Sequence, residues 1–181
     1  MSAPALVIGL GNPDRGDDAV GLHVARQVAA LGMPGVAVME ADGDMLALLD
    51  RWAGATRVLV VDAAMMRAAV MPTQPGSAEM GSAQMGSAAM GSAEPGRIHR
   101  LDPSRGPLPR DLALGSTHAF GLAEAVELAR TLGLLPRRMA IYAIEAGGFD
   151  PGAALSPAVA AAVADATALI VAELREGLAD A

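Results

Sequence analysis

Three side chains stand out as able to do chemistry: Asp18, Asp62 and His118. Asp18 follows an apolar run and the turn Gly9-Leu10-Gly11-Asn12-Pro13; Asp62 ends the run Arg57-Val58-Leu59-Val60-Val61; His118 follows Ser116-Thr117 after a long glycine-rich stretch. Two carboxylates and an imidazole converging on one crevice would form a divalent-cation site of oxygen and nitrogen donors, borderline to hard in character. Each residue also has a plainer reading. Asp17 or Asp18 can cap a helix and complement its dipole, worth roughly 0.5–2 kcal/mol. His118 alone can serve as a capping or packing histidine. Asp62 is harder to explain that way, because an acid at the end of a buried strand needs either a partner or the solvent of a crevice. His23, in mid-helix, and His99, near a loop, read as surface residues without a role.

Composition narrows the alternatives. The chain has no cysteine, which removes disulfides, thiolate nucleophiles and thiolate metal sites. All 13 basic residues are arginine, so Schiff-base chemistry and a Gly-Lys-Ser/Thr phosphate loop are excluded as well. No Gly-x-Ser-x-Gly elbow and no His-Glu-x-x-His pair occurs. The net charge of −7, with scattered arginines, argues against a nucleic-acid partner. Charges or glycines interrupt the apolar stretches before the roughly 20 residues of a bilayer span, and the amino terminus lacks a signal pattern. A cytoplasmic protein without a membrane partner is the expectation.

These residues need elements to hold them. Ala5–Leu10 reads as a buried strand entering a tight turn, followed by a helix that Asp17 can cap and that runs to about Leu31, with Val20, Val24 and Val28 on its buried face. Residues 35–40 read as a second strand, 45–52 as a short helix and 57–62 as a third, fully buried strand. Residues 97–101 fit a short edge strand. Residues 117–132 fit a helix capped by Thr117 and stopped by Gly133, residues 138–144 another strand, and residues 157–178 an alanine-rich closing helix with proline in its first turn. Such alternation predicts an α/β fold: a three-layer α/β/α sandwich around a mostly parallel, twisted sheet of about five strands, in a single domain spanning 1–181. In such sheets ligands bind outside the carboxyl ends of the strands, where Asp18 and Asp62 fall. A helix opening at Thr117 would also keep His118 neutral, as a metal ligand must be. Nothing in the pattern calls for association, so a monomer is expected.

Between 75 and 96 runs a five-residue repeat, Gly76-Ser-Ala-Glu-Met, Gly81-Ser-Ala-Gln-Met, Gly86-Ser-Ala-Ala-Met and Gly91-Ser-Ala-Glu-Pro. That period is too short for a solenoid unit, and the composition suits a flexible insertion. Met80, Met85 and Met90 could instead form a soft thioether site, but thioethers suit Cu(I) far better than Ni(II).

The segment from Gly9 to Gly21, GLGNPDRGDDAVG, resembles the opening signature of the [NiFe]-hydrogenase maturation peptidases, and Asp62 and Ser116-Thr117-His118-Ala119-Phe120-Gly121-Leu122 are similar to its other two parts. The resemblance implies an aspartic-type endopeptidase that removes a carboxy-terminal extension from the hydrogenase large-subunit precursor after nickel insertion. Asp18, Asp62 and His118 then stand at the metal-contacting and catalytic positions, with the nickel supplied by the precursor. Two positions depart from the pattern: Ala19 replaces a glycine after the acids, and Glu40-Ala41-Asp42-Gly43-Asp44 stands where many members have aspartate-glycine-glycine, with Glu40 a candidate for that aspartate's place. A non-catalytic nickel-binding or assembly chaperone using the same ligands is the competing reading. Peptidyl-tRNA hydrolases share the Gly-Leu-Gly-Asn-Pro turn, but Asn12 is the only asparagine here, which is too few for their site.

Overall fold

The structure is a computed structural model that describes residues 5–42, 44–66, 94–108, 112–114 and 121–179. His118, Thr117 and most of the 75–96 repeat, including Met80, Met85 and Met90, lie outside the described residues.

Strand β1 (Ala5–Leu10) is apolar throughout because it lies inside the sheet, with β2 (Val36–Ala41) on one side and β3 (Arg57–Met66) on the other, both parallel to it. The six strands are completed by β4 (Ile98–Leu101), β5 (Leu112–Leu114) and β6 (Arg138–Glu145). The order is β2-β1-β3-β6-β4; β4 runs antiparallel along β6, and β5 pairs antiparallel with the end of β3. The expected mostly parallel sheet is therefore present, with β4 at its edge and the three-residue β5 as an addition. From β1 the chain crosses to β2 on one side and then returns to β3 on the other. The carboxyl ends of β1 and β3 thus flank a topological switch point, where open α/β sheets bind ligands.

Among the described residues, four α-helices cover the two faces. Alternation along the strands sends Leu6, Ile8, Val58, Val60, Met139 and Ile141 to one face, where α2 (Met45–Trp52) and α3 (Leu122–Leu132) bring Leu48, Trp52, Leu122 and Val126. Val7, Leu59, Val61, Ala140 and Tyr142 point the other way, against Val20, Val24 and Val28 of α1 (Val20–Ala30) and Val159, Ala166 and Ile170 of α4 (Pro157–Ala179).

Two expected boundaries move. Strand β3 continues four residues past Asp62, because β6 and β5 supply partners for Ala63 to Met66. Helix α3 starts at Leu122 with Gly121, not Thr117, at its N-cap, and Glu124 reaches back to accept the Gly121 N–H at 3.1 Å. The expectation about apolar length also needs correction. Pro157–Glu176 in α4 has the length and mean hydropathy, 1.7, of a bilayer span. Its buried stripe packs on the sheet, and Glu173 accepts a bidentate pair of bonds from Arg100 at 2.7 Å and one from the Tyr142 hydroxyl at 2.5 Å.

Candidate active site

Two buried acids sit at the switch point. Asp18 sits in a 3-10 turn, Gly16–Ala19, that joins the β1 loop to α1, and Asp62 lies on β3 one residue beyond Val61, the partner of Gly9. Each is 1% exposed. Two features of the sequence bring Asp18 there. A Cβ on Gly21 would lie 2.3 Å from the Leu10 carbonyl oxygen and 2.4 Å from that of Val61, so only glycine lets the start of α1 press onto β1 and β3. Gly11 takes φ +139°, and a Cβ on it would fall 1.8 Å from the Asp18 carbonyl oxygen.

Burial of this kind is costly for a charge. It pushes the Asp62 carboxyl up to about 8, helped by the negative charge of Asp18 and opposed by the Ala63 N–H that bonds to it. Asp62 Oδ2 is buried with no hydrogen-bond partner among the described residues. At neutral pH Asp62 therefore keeps a proton unless a cation takes that proton's place. A pair of carboxyls that repel each other and leave an acceptor oxygen unused suits a divalent cation or a shared proton.

Asp17 departs from expectation. It caps no helix: the N-cap of α1 is Ala19. Its buried carboxylate instead accepts bonds from the Gly147 N–H at 2.8 Å, the Ser156 N–H at 2.6 Å and the Ser156 hydroxyl at 2.9 Å. This ties the turn that carries Asp18 to the loop between β6 and α4.

The third expected member, His118, lies outside the described residues, and α3, the helix expected to open at Thr117, starts at Leu122. Among the described residues no group of three His, Asp or Glu side chains could hold a metal ion. Glu40 does not join the pair either. It is exposed on β2 and bonded to Arg26 of α1 at 2.7 and 2.9 Å, which holds its carboxyl below the usual range. That places it on the α1 face, whereas Asp62 follows the alternation of Val58 and Val60 toward α2 and α3. His23 is exposed, as expected.

His99 is not the idle surface residue that the sequence suggests. Its Nε2 lies 2.6 Å from Oε1 of Glu145, whose side chain is 3% exposed against 26% for the imidazole. Oε2 of Glu145 accepts the Glu94 N–H at 2.6 Å. Sequence reasoning overlooked Glu145, although it ends the strand RMAIYAIE much as Asp62 follows RVLVV, and the same signal marks both.

A family model described as HycI, hydrogenase maturation protease, matches residues 88–173. That span is a little under half of the chain. His118, His99 and Glu145 fall inside the matched span, and Asp18 and Asp62 before it. In fold the chain is similar to a [NiFe] hydrogenase maturation protease HybD from Thermococcus kodakarensis, with TM-score 0.65 and 22% identity over 94% of this chain and 99% of that one. It is also similar to the hydrogenase maturating endopeptidase HybD from E. coli, with TM-score 0.64 and 21% identity over 96% of this chain and 93% of that one. A third likeness is to the maturation protease HycI from Thermococcus kodakarensis KOD1, with TM-score 0.63 and 19% identity over 96% and 93% of the two chains. At these identities the likeness concerns the fold. Comparison with curated protein sequences gives no match.

Proposed function

We propose that this protein is a hydrogenase maturation protease, an aspartic-type endopeptidase that removes the carboxy-terminal extension of the [NiFe]-hydrogenase large-subunit precursor once nickel is in place. The observation that carries the reading is the buried Asp18 and Asp62 pair at the switch point, with Asp62 Oδ2 unused and its carboxyl raised to about 8. Such a site is unfavourable when empty of positive charge and improves on meeting a cation. It therefore favours a precursor that brings nickel over one that does not.

In this reading Asp18, Asp62 and His118 hold the precursor's nickel, a donor set of suitable hardness for it. The ion supplies Lewis acidity toward the scissile carbonyl or an attacking water. Binding displaces the proton of Asp62, and whichever carboxylate oxygen remains outside the coordination shell accepts a proton from the water. The lack of cysteine and of the usual serine elbow supports an attack by water over a covalent acyl intermediate. The protein acts in the cytoplasm as a monomer, as a single domain that carries the 75–96 insertion, without nucleic-acid or membrane partners; the net charge of −7 supports the first of these exclusions.

The test is conversion of nickel-loaded precursor followed on a gel with Asp18→Asn, Asp62→Asn and His118→Gln. Each is expected to stop conversion, and full conversion by Asp62→Asn would overturn the assignment.

A further inference from the structure

The strand order β2-β1-β3-β6-β4 leaves β2 and β4 at the edges of the sheet, and among the described residues β2 pairs with β1 alone. The two edges are built differently. β4 has four residues, two of them His99 and Arg100, and Pro103 follows closely; a short, charged strand near a proline discourages pairing with a further strand. β2 has six residues, Val36 to Ala41, with no proline, and its one charged side chain, Glu40, is bonded to Arg26. In a parallel pair alternate residues turn their N–H and C=O toward the partner strand. The carbonyls of Gly35 and Ala41 accept the N–H groups of Ala5 at 3.0 Å and Gly11 at 3.2 Å, so residues 37 and 39 face β1, and the Val36 carbonyl and both main-chain groups of Val38 face outward. Beside this edge, on the α1 face, lies an open groove of about 430 Å³ whose lining includes Ala25, Ala29 and Ala30 of α1 and Val38 of β2. The three alanines keep it apolar and leave open the space that longer side chains would fill.

We infer that the edge of β2 binds the carboxy-terminal extension of the precursor as an added strand, with apolar side chains of the extension lodged in the groove. The inference rests on the peptidase reading above. An unpaired edge offers main-chain bonds to any extended segment, and an adjoining pocket for alternate side chains selects which segment. Two observations favour the extension over a second copy of this chain. The first is size: six residues of strand fall well short of the roughly 20–30 residues a side that a stable dimer needs. A tail needs little more, because the body of its own protein holds it close by. The second is continuity with the acids. The Ala41 carbonyl bonds to the Gly11 N–H, and Gly11 packs so closely on the next turn that a Cβ would lie 1.8 Å from the Asp18 carbonyl oxygen. A strand laid along β2 therefore ends beside the turn that carries Asp18. With the nickel-bearing part of the precursor over the acids, its tail reaches β2 without crossing the sheet. The charges of Arg26 and Glu40 are spent on each other, so the groove favours uncharged side chains.

The experiment uses the full chain with nickel-loaded precursor, and a synthetic peptide of the extension as the mass of the wild-type product identifies it. Ala29→Trp fills the groove from an exposed position on α1, and is expected to raise KM about tenfold with kcat within about twofold of wild type. Val38→Pro removes an outward N–H and is expected to raise KM about fivefold; melting curves show that both variants fold. The free peptide is expected to inhibit wild type competitively and to slow hydrogen exchange of the Val38 N–H about tenfold or more. Methylating alternate main-chain nitrogens of the peptide tells an added strand from a loose contact. One alternate set is expected to abolish inhibition and the other to leave it within about threefold. Ala29→Trp with a wild-type KM, unchanged Val38 exchange, or equal losses from both methylated sets overturns the inference and leaves the peptidase reading in place. Wild-type protein that sediments as a dimer, with Ala29→Trp as a monomer, gives the edge to a second copy and overturns it too. Wild-type protein that leaves the precursor intact overturns the peptidase reading itself, and this inference with it.

Discussion

Replacing Asp62 with asparagine should change how stability depends on pH more than any other single substitution in the protein. In the native state the Asp62 carboxyl holds its proton up to about 8, while its ordinary value is 3.8. Between those values the native state binds more protons than the unfolded chain, so stability falls as pH rises through the window and levels off above it. Each pH unit is worth about 1.4 kcal/mol, which sets a ceiling of about 6 kcal/mol for the whole window. Water entering the crevice and small movements of Asp18 lower the expected loss between pH 5 and pH 8 to about 2–3 kcal/mol, or roughly 5–10 °C in melting temperature for a chain of this length. The amide that replaces the carboxyl in Asp62→Asn carries no charge at either pH. The difference between the wild-type and Asp62→Asn stability curves, from urea unfolding at pH 5, 6, 7 and 8, should therefore grow with pH in favour of the variant. Asp18→Asn, which removes the second cause of the shift, should reduce the wild-type slope without abolishing it. Parallel curves for wild type and Asp62→Asn would refute the reasoning, because they would mean that Asp62 is ionised in the native state throughout.

Other substitutions probe how the site is held. Asp17→Asn keeps the size of the side chain but leaves at least one of its three donors facing an amide; the expected loss is about 2–4 kcal/mol by urea unfolding, with a drop in precursor cleavage because the Asp18 turn loosens. Gly21→Ala forces a methyl group against the Leu10 and Val61 carbonyls, and a loss of roughly 3 kcal/mol is expected together with impaired cleavage. Glu40→Gln breaks only an exposed pair with Arg26, and both melting temperature and cleavage rate should stay at the wild-type level.

The sequence made visible what depends on local pattern. Strand β1 and helix α2 fall on their expected residues because an unbroken apolar run and an Asp44 cap, whose carboxylate accepts the Ala47 N–H at 3.1 Å, are short-range signals. The acid after Val58 to Val61 pointed to the crevice for the same reason. Asp62 did not end its strand, however, since the partners that extend β3 come from residues 112–114 and 138–145, far along the chain. Asp17 looked like a cap because the three groups that claim its carboxylate lie about 130 to 140 residues away. The start of α3 was legible after all: the Gly121 to Glu124 spacing is that of a residue whose N–H is taken by a glutamate three positions on, whereas Thr117 has phenylalanine at that distance. His99 with Glu145 could not be read from spacing, because antiparallel pairing of an edge strand is what joins them.

The central claim is that two buried acids at the switch point serve to process a nickel-bearing precursor. The most direct test is the mass of the large subunit's carboxy terminus after incubation of nickel-loaded and nickel-free precursor with wild-type protein and with Asp62→Asn. The account predicts a single shortened product from the loaded precursor with wild type, and full-length chain in the other three reactions. A large subunit that binds the wild-type protein yet keeps its full mass in every reaction would contradict the account and favour a chaperone that uses the same acids.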